Sequence, residues 1–185
     1  AYESGCRCFL AERPLDLAED ASVTVVSSTR RALAVIAQRF YGEPAASLRL
    51  IGITGTKGKS TTAELIRSGL EAAGRRTGII GTCGIGYGGS LRPSANTTPD
   101  ALELARTLAD MRDAGVETVV MEVSSQAYKL DRVYGLHFAE GVFTNLSPDH
   151  IGPTEHANME EYISSKARLF AASALSVLNA DDAQC

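Results

Sequence analysis

Apolar residues along the chain alternate between two spacings. Runs at 48–54, 77–83, 117–123, 138–144 and 174–178 are short, nearly continuous and rich in Val, Ile and Leu, which predicts strands buried on both faces. Between them lie segments with helical spacing. Ile66, Gly69, Leu70 and Ala73 share one face of a helix predicted over 61–73. Ala101, Leu104, Ala105, Leu108 and Met111 form a second stripe ending before Gly115, with Thr98 as the expected N-cap and Pro99 at the first helical position. A third helix is expected from Met159, capped by Asn158 with Glu161 three residues on, its stripe made of Met159, Tyr162, Ile163 and Phe170. Strands alternating with helices predict an α/β fold: a mostly parallel sheet with helices on both faces.

The first residues follow the same logic on a smaller scale. Val23 to Val26 alternates like a strand, and 28–41 reads as a helix with Leu33, Ile36, Ala37 and Phe40 on its apolar face. Gly42-Glu43-Pro44 then breaks the pattern. Residues 1–46 are therefore expected to be the end of a smaller α/β domain plus a linker, and 47–185 the main domain. The Gly-, Ser- and Pro-rich stretch between Gly84 and Asn96 fits a small hairpin, a flap over a substrate or a plain solvent loop equally well. Because the chain opens on Ala1 and stops just after a predicted strand, it is expected to be a piece of a longer protein with an exposed strand edge.

Composition narrows the function classes. With 44% hydrophobic and 22% charged residues the chain has the make-up of a soluble globular protein. A net charge of -4 gives no electrostatic footprint for nucleic acid, and no apolar run reaches membrane-spanning length. Cys6, Cys8, Cys83 and Cys185 match neither a disulfide framework nor a zinc site, so reduced thiols in a cytoplasmic protein are expected.

The chemistry begins at Gly52 to Thr62, GITGTKGKSTT, directly after the first strand run. Gly52, Gly55 and Gly58 let backbone approach a phosphate closely, Lys59 adds a point charge, and Ser60 offers a hydroxyl to Mg²⁺. The strict G-x-x-x-x-G-K-[ST] spacing is not met, because Ile53 stands where the first glycine belongs. A nucleoside triphosphate site is the favoured reading, and a glycine-rich turn before an ordinary helix is the alternative.

In a parallel sheet, ligands sit beyond the carboxyl ends of the strands, so polar residues there carry added weight. Glu122 interrupts an apolar strand, where a Mg²⁺ shared with Ser60 or a lysine partner would each compensate it. Asp149-His150 follows another strand and suits a second cation. Lys166 falls on the apolar stripe of the third helix. It either snorkels or is buried with a lowered pKa, in which case its neutral amine takes up CO₂ as a carbamate. His137 and His156 read as ordinary loop residues.

GITGTKGKSTT, Asn96-Thr97-Thr98, MEVSSQAYKLDRV at 121–133, TNLSPDHIGPTEH at 144–156 and SSKARLF at 164–170, in that order, resemble the Mur ligases of peptidoglycan synthesis, the tripeptide synthetases above all. The resemblance implies that ATP activates the D-Glu carboxylate of UDP-N-acetylmuramoyl-L-Ala-D-Glu as an acyl phosphate, which a diamino acid then attacks. It implies that Gly55, Thr56, Lys57, Gly58, Lys59, Ser60 and Thr61 cradle the ATP phosphates. Ser60 and Glu122 would hold Mg²⁺, His150 and carbamylated Lys166 a further metal, and Lys59, Glu122, His150 and Lys166 would be catalytic. Asn96, Thr97, Thr98, Ser124 and Arg132 would contact the UDP-sugar peptide, and residues 1–46 would end a UDP-binding domain. Lys57 departs from the usual Mur Asn and resembles folylpolyglutamate synthases. A folate-directed glutamate ligase therefore remains an alternative, as does an ATP-binding piece without catalysis.

Overall fold

Strands β3 (Arg49–Thr54), β4 (Thr77–Gly81), β7 (Thr118–Glu122), β8 (Phe138–Phe143) and β9 (Ser173–Leu178) run parallel in a computed structural model that describes residues 1–149, 151–152 and 155–182. Two further strands, β5 (Gly84–Tyr87) and β6 (Ser90–Arg92), form an antiparallel hairpin that extends the sheet in the order β6-β5-β4-β7-β3-β8-β9. Of the three readings open for the Gly-rich stretch, the hairpin is the one observed.

Alternation along β3 divides the core. Leu50 faces α3 (Ala101–Asp113) and α5 (Met159–Ala171), in a cluster with Leu104, Leu108, Met111 and Leu169. Ile51 and Ile53 face the other way, toward Ala63, Ile66 and Leu70 of α2 (Lys59–Ala72). Helices thus cover both faces of the central strands, as their continuous apolar runs required, whereas β9, at the sheet edge, is exposed and not buried on both faces as its run predicted. Gly52 has a different role from the expected one: a Cβ there would lie 2.7 Å from Leu169 Cδ1 and 2.9 Å from Phe138 Cδ1, so its bareness admits α5, not a phosphate.

Three other expectations are corrected. The N-cap of α3 is Asp100, whose carboxylate accepts from the Leu102 and Glu103 N–H groups, while Thr98 is fully buried upstream. On α5 the buried aliphatic residue is Leu169, and Ile163 is exposed. On α1 (Thr29–Phe40) the buried residues are Ala34 and Ala37, whereas Leu33, Ile36 and Phe40 are exposed. Small residues on α1 allow its backbone to approach α3, which turns the bulkier stripe outward.

The first residues add β1 (Cys8–Ala11) and β2 (Ser22–Val25), a separate parallel pair. The linker makes a 3₁₀ turn at Pro44–Ser47, and Arg112 of α3 donates to Tyr41 O and Gly42 O at 3.0 and 3.2 Å. A short helix, α4 (Ser125–Lys129), follows β7. Among the described residues no helix is long and apolar enough to cross a membrane.

Candidate functional site

Parallel β3, β4, β7 and β8 end on one edge of the sheet, so the residues that follow them are brought together. After β3 the chain turns at Gly55 (φ +145), where a Cβ would meet Thr144 Oγ1 at 2.0 Å. Gly58 (φ +82) is the N-cap of α2 and supplies no side-chain cap, which leaves the first N–H groups of that helix aimed at solvent or an anion. Lys59, Ser60 and Thr61 are those first residues. Earlier in the loop the N–H groups are already engaged: Thr56 N–H donates to Asn145 O at 2.8 Å and Lys57 N–H to Asn145 Oδ1 at 3.0 Å. Thr56 is buried, its hydroxyl 3.1 Å from Tyr162 Oη, so it holds the loop against α5.

Glu122 ends β7 and is 2% exposed. Its Oε1 accepts from Ser60 Oγ at 2.8 Å and from Thr82 N–H at 2.8 Å, and its Oε2 from Thr82 Oγ1 at 3.4 Å. Gly81 makes room for it, since a Cβ there would come within 2.3 Å of Oε1. Among the described residues no ion pair reaches this carboxylate. A buried anion whose hydrogen bonds all come from neutral donors, with the Lys59 charge near but not paired to it and a serine hydroxyl on the same oxygen, fits a cation bound between Ser60 and Glu122. No group of three or more His, Cys, Asp or Glu side chains is gathered for a metal among the described residues.

Lys166 lies on α5 and is 3% exposed, its Nζ 2.7 Å from Gly55 O and 4.4 Å from the Tyr162 ring centroid. Burial first, and then the neighbouring Lys59 charge, bring its pKa down to about 7. Lys59 Nζ curls back onto Gly55 O and Thr56 O at 3.0 and 2.9 Å, and burial lowers its pKa as well.

A cavity of about 470 Å³ opens beside these groups. Lys59, Lys166, Asn96, Thr97, Ser124 and Arg132 line it, six of the residues singled out in the sequence. Thr98 does not: its hydroxyl donates to Glu122 O at 2.9 Å and accepts from Ser124 N–H at 3.1 Å, tying β7 to the segment before α3. Arg132 Nη1 donates to Thr98 O at 2.8 Å. Sequence reasoning missed Thr82, Ser125, Gln126 and Glu155, which also line the cavity. Thr82 and Gln126 stand immediately after or within segments already marked, and position beyond a strand end was the usable signal. His156 is fully buried, its ring 5.3 Å from that of Tyr162, and so belongs to the interior and not to a solvent loop. His150 lies outside the described residues.

Comparison with known proteins agrees with this geometry. Residues 53–185 match the model of the Mur ligase middle domain. A curated UDP-N-acetylmuramoyl-L-alanyl-D-glutamate--2,6-diaminopimelate ligase from Clostridium perfringens is 43% identical over 98% of the chain, and one from Geobacillus kaustophilus is 47% identical over 92%. The chain spans 37% and 34% of the length of these two relatives. A solved structure of a ligase of the same name superposes with a TM-score of 0.82 at 32% identity, over 94% of this chain and 35% of the other. Folylpolyglutamate synthase from Mycobacterium tuberculosis shares the fold, with a TM-score of 0.65 at 19% identity over 83% of this chain and 42% of the other. The chain belongs to the Mur ligase family, and most of it, from Ile53 onward, is that family's middle domain.

Proposed function

We propose that the chain is the nucleotide-binding part of an ATP-dependent ligase that joins an amine of a diamino acid to the D-Glu carboxylate of UDP-N-acetylmuramoyl-L-Ala-D-Glu, in the cytoplasm. Diaminopimelate is the amino acid in the relatives' names and the one assigned here. Residues 1–46 are read as the end of a UDP-binding domain. The carrying observation is one cavity lined both by lysines of the phosphate loop and α5, Lys59 and Lys166, and by Asn96, Thr97, Ser124 and Arg132.

In this reading the N-terminus of α2 and Lys59 bind the ATP phosphates, and Arg132, Asn96, Thr97 and Ser124 hold the UDP-sugar peptide with its carboxylate turned toward them. The carboxylate oxygen attacks the γ-phosphorus and ADP leaves; the amine then attacks the acyl phosphate, loses a proton and expels inorganic phosphate. Holding two anions against each other is the main task of the protein, because positioning and charge neutralisation dominate phosphoryl transfer. Mg²⁺, held by Ser60 and Glu122, would supply charge neutralisation at the phosphates. Lys166, with an amine that is substantially neutral near pH 7, is suited to carry a carbamate, and His150 is assigned by resemblance to a second metal.

The folate alternative rests on Lys57, and the loop geometry weakens it. Lys57 meets Asn145 through its backbone N–H and C=O, at 3.0 Å each, which any residue supplies. Its side chain is exposed. The test is ADP release by the full-length protein, expected only when the UDP-muramoyl dipeptide and diaminopimelate are both present. ADP release that follows folate and ignores the muramoyl substrate would sink the proposal.

A further inference from the structure

The turn that carries Arg132 into the cavity contains an unusual residue. After α4 and its C-cap Leu130, Asp131 N–H donates to Tyr128 O at 3.2 Å and Arg132 N–H donates to Ala127 O at 2.8 Å, the two bonds of a Schellman ending. The residue after the C-cap in such an ending is left-handed and is usually Gly; here it is Asp131, with φ +52. Asp tolerates this conformation better than most residues, but Gly would satisfy the turn with less strain.

The carboxylate has partners that the turn does not need. Asp131 Oδ2 accepts from Arg31 Nε of α1 at 3.1 Å, and Oδ1 from Arg168 Nη2 of α5 at 3.2 Å, with the Asp131 side chain only 13% exposed. Arg168 Nη1 also donates to Tyr128 O at 2.6 Å, the carbonyl that closes the turn. One side chain therefore joins three elements: α1 of the first residues, the turn that ends in Arg132, and α5, which bears Lys166 two residues before Arg168.

We infer that Asp131 is a positioning residue that sets Arg132 against the muramoyl substrate by clamping α1 and α5 to the turn. The inference rests on the assignment of Arg132 as a substrate contact made under Proposed function.

The experiment compares Asp131→Gly, Asp131→Asn and Arg132→Ala in the full-length protein, with KM for UDP-N-acetylmuramoyl-L-Ala-D-Glu and for ATP measured separately. Asp131→Gly relieves the backbone, so it keeps the fold, and thermal unfolding reports that directly. Both Asp131 variants are expected to raise the dipeptide KM about tenfold while the ATP KM stays within about twofold. Adding Arg168→Ala to Asp131→Gly is expected to raise it by less than Arg168→Ala does alone, because the two share one ion pair while Arg168 keeps a separate bond to Tyr128 O. An unchanged dipeptide KM, or equal rises in both KM values, overturns the inference. If Arg132→Ala alters the dipeptide KM and the Asp131 variants do not, only the positioning role falls. If Arg132→Ala has no effect, the Arg132 assignment and the positioning role fall together. A wild-type protein that does not ligate the muramoyl substrate removes the proposed function itself.

Discussion

Lys59 and Lys166 donate to a single atom, the carbonyl oxygen of Gly55, at 3.0 and 2.7 Å. Two like charges converging on a neutral acceptor in a buried place oppose each other, and burial penalises both. Lys166 yields further, its pKa brought down to about 7. The sequence places one lysine on the phosphate loop and the other more than a hundred residues later, and only the packing of α5 against β3 joins them.

A pH dependence of stability follows. In the unfolded chain Lys166 titrates near its ordinary value of 10.5, and in the folded chain near about 7. Between those values the unfolded state binds the extra proton, so stability rises with pH. The contribution is complete above the unfolded value and is lost as pH falls through the folded one. Urea midpoints of wild type and Lys166→Met at pH 7, 8 and 9 should diverge, the wild type gaining on the variant as pH rises. Parallel profiles would show that Lys166 is not buried as described.

Glu122→Gln should separate metal binding from folding. Gln keeps the shape and can still accept from Ser60 and Thr82, but it removes a charge that is hydrogen-bonded by neutral donors and felt by Lys59 beyond ion-pair range. Stability is expected to stay within about 1 kcal/mol of wild type or to rise. Equilibrium dialysis with ATP should show that Mg²⁺ strengthens binding to the wild type and no longer does so in the variant. Mg²⁺ enhancement that survives Glu122→Gln would remove Glu122 from the metal site.

Thr98→Val is expected to destabilise the protein by about 1–3 kcal/mol, because Glu122 O and Ser124 N–H would each lose a buried partner. Thr98→Ser keeps the hydroxyl and should cost about 1 kcal/mol or less, the value of the lost methyl. Denaturant unfolding of both variants measures this. Equal losses would mean that the methyl, and not the hydroxyl, is what the site needs.

Thr98 also shows where sequence reading stops. As a Thr three residues before a helical stripe it has the chemistry of an N-cap; Glu103 three residues after Asp100 is a capping signal that Thr98 lacks, but the long-range bonds that hold Thr98 to β7 have no mark in the sequence. The central strands were legible because burial on both faces forces continuous apolar runs, and Lys166 was legible because a lysine on an apolar stripe breaks its pattern. Helix α4 was not, since five residues are too short for a period to register. Gly52 was misread because a glycine that admits a phosphate and one that admits a leucine have the same letter. The outward turn of Leu33, Ile36 and Phe40 was equally hidden, because the alanines that dock α1 carry little hydrophobic signal.

Gly55→Ala tests the loop where both lysines meet. A Cβ at Gly55 would lie 2.0 Å from Thr144 Oγ1 and 3.1 Å from Asn145 O, with φ at +145. Gly74→Ala is the control: φ is +78 and nothing lies within 4 Å, so only backbone strain is added, about 1–2 kcal/mol. Gly55→Ala should add about 1–3 kcal/mol of overpacking to a comparable strain and should shift the carbonyl that Lys59 and Lys166 share. ATP binding measured by dialysis is therefore expected to fall in Gly55→Ala and to hold in Gly74→Ala. Adding Thr144→Ala to Gly55→Ala removes the nearest clash but leaves the Asn145 backbone and the φ angle, so recovery should be partial. Full recovery would locate the whole cost in one hydroxyl, and no recovery would locate it in the backbone.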